Sequence, residues 1–206
     1  MGFIGKFEKV SKSQYISDCK NADLANRETF YKALKSSSKR YDVYDDGIYG
    51  SNSIKSIKKS YDELKTPSRA TLGSAGYDFF APRKYVIPFN IPFLIPTGFK
   101  CKIDKGFSLD IYPKSGLGFK TGMRLMNTIG IIDADYYNNI TNEGHIMIKV
   151  VIEDIRDNHD YFVINEGKGF AQGIFHKFYT VENDLDNNNL NNSVREGGFG
   201  STDNSK

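Results

Sequence analysis

The chain has 206 residues, of which 39% are hydrophobic and 26% charged, and its formal net charge at neutral pH is +3. This composition is typical of a globular protein, and the longest apolar runs are far shorter than a membrane-spanning helix. The basic excess lies in residues 1–66, which hold 13 Lys and Arg against 9 Asp and Glu, too few for a nucleic-acid-binding face. We therefore expect a cytoplasmic protein that binds neither a membrane nor nucleic acid directly.

The first 66 residues combine a strand with helical and irregular segments. The stretch FIGKFEKVS predicts a first strand, and Ser11 with Gln14 forms a capping-box pattern ahead of a helix. Apolar residues near Tyr15, and again near Phe30, recur at helical spacing and predict two short helices. The polar and Gly-containing composition predicts irregular backbone at 35–60.

Short apolar runs separated by Gly, Pro and Asn turns follow one another after Pro67. Many contain β-branched or aromatic residues, and none is long enough to predict a helix. This pattern is typical of an all-β sandwich, jelly roll or barrel. We expect this β domain to cover 67–182, followed by an Asn-rich tether at 183–194 and a flexible arm at 195–206.

Two clusters of Gly and polar residues early in the β domain are candidate sites. The segment GSAGYDFFAP at 73–82 carries Asp78 at the start of a strand, although a simple turn would explain it equally well. The segment YPKSGLGFK at 112–120 predicts a loop. There Lys114, the Ser115 hydroxyl and glycine N–H groups could surround an anion.

Two later clusters also interrupt the strand pattern. The segment NTIGIIDADYYNN at 127–139 places Asp133 and Asp135 in an apolar stretch, where burying a carboxylate without a partner is costly. In a strand the two side chains would share a face, although a solvated strand end remains an alternative. The segment GKGFAQGIFHKF at 167–178 predicts a strand that carries the polar Gln172.

Residue spacing excludes several common kinds of site. In the segment at 112–120, Lys114 precedes the glycines, whereas the lysine of a P-loop follows them. The GxGxxxG pattern at 167–173 lacks the strand–turn–helix frame of a dinucleotide-binding site. The histidines and cysteines show neither zinc spacing nor a disulfide framework, and no nucleophile elbow occurs. They are His145, His159, His176, Cys19 and Cys101.

In chain order, the segments AGYD, PKSGL, NTIGIIDADY, AQ and GGFGST resemble the five motifs of the trimeric dUTP diphosphatases, or dUTPases. The resemblance covers residues from about 66 to 206. It implies a jelly roll that forms a homotrimer, in which each active site is built from all three subunits. It also implies hydrolysis of dUTP to dUMP and pyrophosphate with Mg²⁺ on the triphosphate, which keeps uracil out of DNA and supplies dUMP.

The resemblance assigns roles to individual residues. Asp133 would be the general base that activates water for attack on the α-phosphorus, with Gln172 close to that water. Asp78 would hold Mg²⁺ through water molecules. The nucleoside would contact Asn127, Gly130, Ile132, Tyr136, Met147 and Phe199, and the phosphates would contact Lys114, Ser115, Gly116, Gln172, Arg195, Gly200, Ser201 and Thr202.

The arm at 195–206 would close over the nucleotide, and the Asn-rich tether would make that closure possible. Phe199 would stack on the uracil, while Arg195 would hold phosphate oxygens. Arg195 lies one residue closer to the Gly–Gly pair than is usual in the family.

Other departures from the family pattern concern the core of the site. Lys114 and Gly169 stand where arginine is common, and the hairpin that follows Tyr136 is longer than the common form. A block at about 20–60 has no counterpart in the minimal enzyme. It would be a surface excursion, or a docking element for a protein partner.

Two alternative functions remain. A dCTP deaminase of the same fold would need Ser-x-x-Arg in the second motif, where this chain has Gly118. A dUTPase-like regulatory protein would bind its partner through residues 20–60. The intact Asp133, Tyr136 and Phe199 favour the diphosphatase.

Overall fold

A computed structural model of the chain describes residues 3–36, 53–153 and 160–182. Its helices are α1 (Lys12–Ser36), α2 (Ile54–Asp62) and α3 (Ser115–Thr121), and a single 3-10 turn covers Ala134–Tyr136. The strands are β1 (Gly5–Lys9), β2 (Ser68–Arg69), β3 (Tyr77–Phe80), β4 (Tyr85–Pro88), β5 (Phe93–Pro96), β6 (Phe99–Ile103), β7 (Phe107–Pro113), β8 (Arg124–Leu125), β9 (Gly130–Ile132), β10 (Met147–Val151), β11 (Tyr161–Ile164) and β12 (Gly169–Lys177).

The strands pair antiparallel in four sheets. The largest has the order β2-β3-β12-β7-β9, and a second has the order β5-β10-β8. Two further pairs, β1 with β6 and β4 with β11, complete the described part of the fold. The predicted all-β jelly roll is confirmed, and the first strand lies where the sequence predicts it.

The main hydrophobic core follows the alternation of side chains along the strands. In β10, Ile148 and Val150 are buried while Lys149 between them is exposed, as expected when successive side chains point to opposite faces. Leu109 and Ile111 on β7 are buried in the same way. Each such side chain contributes about 1.5–3 kcal/mol of transfer free energy, so this core holds the sheets together.

Helix α1 is one continuous helix of 25 residues, not the two short helices that the sequence predicts. Its buried stripe runs without a break through Tyr15, Cys19, Ala22, Asn26 and Phe30, at intervals of three and four residues. Two of these positions hold a small side chain, Ala22, and a polar side chain, Asn26. A search for large apolar residues therefore divides the helix at its middle.

Only one of the two hydrogen bonds of the predicted capping box forms at the start of α1. The Gln14 N–H donates to the Ser11 hydroxyl at 3.1 Å, but the Gln14 amide donates to Asp18 and does not reach back to Ser11. Glu143, which is distant in sequence, accepts the Ser11 N–H at 2.9 Å. Partial burial alone would raise the pKa of Glu143, but the Ser11 donors and Lys100 hold that pKa below its usual value.

Helix α2 lies partly within the segment predicted to be irregular, and α1 extends into its start, so that prediction is wrong for 35–36 and 54–60. Ser53 caps the helix by accepting the Ser56 N–H at 3.2 Å, and Ile57 packs against Tyr15 of α1 in a second, smaller core. Ser and Lys residues obscured this short amphipathic pattern. Residues 37–52 lie outside the described part of the chain. No described helix has the length and apolar character to cross a membrane.

The long segment between Tyr136 and Met147, here called the 137–146 loop, is held by its own side chains. Asn139 is buried and its amide donates to the Tyr136 carbonyl at 3.0 Å. Gly144 has a positive φ of 78°, and a Cβ there would lie 2.5 Å from the Tyr136 carbonyl oxygen. The loop therefore needs glycine at this position for both its backbone conformation and its packing.

Substituting Gly144→Ala should destabilise the protein more than Gly106→Ala. Both glycines have positive φ, but a Cβ at Gly106 would meet no atom within 4 Å. Gly106→Ala should therefore lose only about 1–2 kcal/mol, the cost of left-handed backbone, and Gly144→Ala should lose clearly more. Urea unfolding of both variants measures this difference, and equal losses would contradict the steric argument.

Candidate active site

A pocket of about 510 Å³ opens where β9 lies near β8 and β10. Its volume is in the range of small-molecule sites, and most of the residues that line it are aliphatic. Five of the six residues predicted to contact a nucleoside line it: Asn127, Gly130, Ile132, Tyr136 and Met147. The sixth, Phe199, lies outside the described residues.

A tight turn between β8 and β9 forms one wall of this pocket. The Ile129 N–H donates to the Asn127 carbonyl at 2.7 Å, and Thr128 has a φ of 65°, which is strained for a β-branched residue. A Cβ at Gly130 would lie 3.6 Å from the Asn127 amide nitrogen and 3.4 Å from Cβ of Ile111. The turn thus places an amide side chain over a glycine at the pocket edge.

Tyr136 forms another wall and is 6% exposed. Its hydroxyl donates to the His145 carbonyl at 3.0 Å and accepts from the Asn142 amide at 2.9 Å. Both partners belong to the 137–146 loop, so the extended hairpin positions the ring. Sequence patterns give no sign of these contacts, because neither loop residue stands in a family motif.

Asp133 and Asp135 do not share a strand face, so that expectation is wrong. Strand β9 ends at Ile132, Asp133 occupies the position just before the 3-10 turn, and Asp135 lies inside the turn. Asp133 is half-buried while Asp135 is exposed. The physical reason is that the turn redirects the backbone between the two residues, which a strand-based pattern cannot show.

A group of polar residues lies on the large sheet. Gln172 on β12 pairs in register with Asp78 on β3 and with Tyr112 on β7. Lys114 follows β7, and its ammonium donates to Asp78 Oδ2. The Gln172 amide donates to the Pro113 carbonyl at 3.2 Å. Neighbouring strands thus bring the predicted metal-binding carboxylate and phosphate-binding residues together in the Asp78–Lys114–Gln172 group.

Two glycines leave room for this group. A Cβ at Gly169 would lie 3.1 Å from the Lys114 ammonium nitrogen, and one at Gly76 would lie 2.5 Å from Gln172 Oε1. Lys114 therefore occupies the space above position 169, where arginine is common in the family. Neither glycine has the positive φ that would itself require glycine, so their role is to leave space.

The segment predicted as a phosphate-binding loop folds as the short helix α3. Its Gly118 N–H donates to the Lys114 carbonyl at 3.0 Å, so this group is not available to an anion as predicted. Ser115 and Gly116 occupy the exposed first turn. The first N–H groups of a helix lack acceptors within the helix, so those two residues still present donors outward.

Within one chain, Asp133 does not lie beside the Asp78–Lys114–Gln172 group. Its neighbour Ile132 pairs with Leu109, whereas Gln172 pairs with Tyr112 on the opposite side of β7. At about 3.3 Å per residue and about 4.8 Å per strand, these backbone positions are roughly 10 Å apart in each direction. The chain thus presents two separate halves of the predicted site.

Two residues of the pocket were not predicted, and some predicted site residues lie outside the described part of the chain. Leu94 and Lys149 line the pocket but were not predicted; they face each other across β5 and β10, and only the strand register shows this. Four predicted phosphate-binding residues lie outside the described part of the chain, and their roles stay predictions: Arg195, Gly200, Ser201 and Thr202.

The chain is similar in sequence to known proteins of one family. The sequence model of the dUTPase family matches residues 62–203. Deoxyuridine 5'-triphosphate nucleotidohydrolase of Lactococcus lactis subsp. lactis is 37% identical over 139 residues, covering 68% of this chain and 88% of that protein. The enzyme of the same name from Finegoldia magna is 35% identical over 156 residues, covering 72% and 97%.

The crystal structure of dUTPase from Streptococcus mutans has the same fold. It superposes with a TM-score of 0.52 at 34% sequence identity, over 59% of this chain and 91% of that chain. Five motifs in order, a nucleoside-sized pocket and a jelly roll thus agree with the matches in sequence and structure. The chain belongs to the dUTPase family, the enzymes that hydrolyse deoxyuridine 5'-triphosphate.

Proposed function

We propose that this protein hydrolyses dUTP to dUMP and pyrophosphate, with the uracil and deoxyribose in the pocket and the phosphates at the Asp78–Lys114–Gln172 group. The observation that carries the proposal is the convergence of Asn127, Gly130, Ile132 and Tyr136 on one pocket. These residues come from a turn, a strand and a 3-10 turn. Such a site binds a nucleoside and leaves the triphosphate outside.

Selection for uracil would come from hydrogen bonds along the base edge. The Asn127 amide and the backbone groups of Gly130 to Ile132 that do not bond to β7 would offer donors and acceptors close together. A cytosine would leave some of these polar groups unpaired, which is a strong basis for discrimination. The buried Tyr136 ring would lie against the deoxyribose and exclude a ribose 2′-hydroxyl by contact.

The phosphates would be held by charge and by hydrogen bonds. Lys114 supplies a positive charge, although without the two-pronged donor geometry of arginine. Ser115 and Gly116 add a hydroxyl and outward N–H groups, and Gln172 adds an amide. Because Asp78 already pairs with Lys114, the ammonium is positioned before any anion arrives.

Asp133 would act as the general base. A half-buried carboxylate at the end of β9 can accept a proton from water as its oxygen attacks the α-phosphorus. The bond between that phosphorus and the bridging oxygen then breaks, and pyrophosphate leaves with the electron pair. Gln172 would orient the water by hydrogen bonding.

The residues fit a Mg²⁺ ion that is held mainly by the substrate. The described residues contain no group of three or more His, Cys, Asp or Glu that could hold a metal by themselves. Mg²⁺ commonly keeps several waters and takes one or two carboxylates plus phosphate oxygens, and Asp78 would be such a carboxylate. When bound, the ion would neutralise charge on the triphosphate.

The separation of Asp133 from the Asp78–Lys114–Gln172 group supports a shared site. One chain places its nucleoside pocket and its phosphate-binding group apart, so a second copy can bring the missing half to each. We therefore include a homotrimer with three shared sites in the proposal. A protein partner for residues 20–60 stays a prediction, because much of that block lies outside the described residues.

Pyrophosphate release from dUTP, dTTP, dCTP and UTP, with and without Mg²⁺, tests the function directly. Asp133→Asn should lower kcat on dUTP by about 100-fold or more, since general bases contribute on that order, while the Kd for dUTP changes little. Ammonia release from dCTP would favour the deaminase. Full activity of Asp133→Asn would refute the assignment of the base.

Substituting Gly76→Ala should reduce turnover with little loss of stability. The new Cβ would collide with Oε1 of Gln172, so the amide must turn away from the site. Gly73→Ala in the same segment meets no atom within 4 Å and serves as the matched control. Steady-state kinetics and thermal unfolding of both variants separate the effects, and equal activities would contradict the role of Gln172.

Truncation after Val194 should leave the oligomer folded but reduce kcat/KM strongly, because Phe199 and Arg195 would no longer cover the nucleotide. Gel filtration reports assembly and pyrophosphate release reports activity. Phe199→Ala in the full-length chain isolates the contribution of stacking on uracil. A truncated protein with wild-type kcat/KM would refute the proposed closure.

A further inference from the structure

We infer that Asp18 on helix α1 is a positioning residue for the nucleoside pocket, acting through His145 on Tyr136. The inference rests on the proposed place of Tyr136 beside the deoxyribose. It assigns a role in substrate discrimination to a helix that belongs mostly to the block absent from the minimal enzyme.

Asp18 and His145 are in direct contact. Asp18 Oδ2 lies 2.6 Å from His145 Nδ1, and the other ring nitrogen, Nε2, accepts the Gly98 N–H at 2.7 Å. Because Nε2 accepts, the ring proton lies on Nδ1 and is donated to Asp18. The imidazole is completely buried, so the two bonds fix both its tautomer and its orientation.

His145 is connected to the pocket through Tyr136. The His145 carbonyl accepts the Tyr136 hydroxyl at 3.0 Å, and Asn142 donates to the same hydroxyl. Tyr136 lines the pocket, and its hydroxyl is anchored in the 137–146 loop. A change in the His145 backbone would therefore move the wall that faces the sugar.

Helix α1 and Ser11, the residue just before it, contact the same region at three places. Ser11 bonds to Glu143 of the 137–146 loop, Asp18 bonds to His145, and Asn26 exchanges two hydrogen bonds with the backbone of Leu94. Seven and eight residues separate these positions in the sequence. Both intervals are near two helical turns, so Asp18 and Asn26 lie on the same side of α1 as the cap residue Ser11.

The contact at Leu94 explains why the helix docks here. Strand β5 is at the edge of the sheet β5-β10-β8, and an edge strand carries backbone groups without a neighbouring strand. The Asn26 amide donates to the Leu94 carbonyl at 2.9 Å and accepts its N–H at 2.7 Å. Leu94 lines the pocket, so α1 supports the pocket from two sides.

Asp18→Ala removes the acceptor for His145, and Asp18→Asn retains one, because the amide oxygen can still accept from Nδ1–H. Asp18→Ala should lower the preference for dUTP over UTP, measured as the ratio of kcat/KM values, by about tenfold. Asp18→Asn should restore most of that preference. Asp62→Ala is the matched control, because Asp62 pairs with Lys12 at the surface and none of its described hydrogen bonds reaches the 137–146 loop.

If folded Asp18→Ala keeps the wild-type ratio of kcat/KM for dUTP over UTP, the inference is overturned. A loss of that preference that Asp18→Asn does not restore would also overturn it. Failure of the wild-type protein to hydrolyse dUTP would instead refute the proposed function. A second measurement needs no variant: the Nδ1–H resonance of His145 in the wild-type protein should shift when dUMP saturates the pocket. A resonance unchanged at saturation would overturn the inference even if Asp18→Ala does not fold.

Discussion

His145 occupies the position on which the rest of the nucleoside site depends. It is completely buried, and its polar atoms bond to Asp18, Gly98, Tyr136 and Asn142. Leaving a buried polar group without its partner costs about 1–3 kcal/mol, so each of these segments is held to the others. Helix α1, the turn before β6 and the wall of the pocket consequently have a fixed relation.

Strand β7 organises the two halves of the site. It pairs with β9 on one side and with β12 on the other, so the pocket and the Asp78–Lys114–Gln172 group lie on opposite sides of one strand. This geometry separates the proposed base from the phosphates within a single chain. The proposed sharing of sites between subunits would reunite them and would make activity depend on assembly.

The two departures from the family pattern near the phosphates have a common structural explanation. Gly169 leaves space that the Lys114 ammonium occupies, and Asp78 holds that ammonium by an ion pair. One lysine thus stands in a region where arginine is common at two positions. It offers a single compact charge, so in the proposed site hydrogen bonding to the phosphates would depend more on Ser115 and Gln172.

Local patterns in the sequence by themselves determined the all-β class, the first strand and the cap at Ser11, and the resemblance of five segments to family motifs named the residues that meet at the pocket. Their signals are short motifs and alternation, which need only neighbouring residues. Tertiary structure alone decided the continuity of α1 across Ala22 and Asn26, the end of β9 before Asp133, and the pairing of Asp18 with His145. The physical reason is that these features depend on contacts between residues distant in sequence, which no local periodicity encodes.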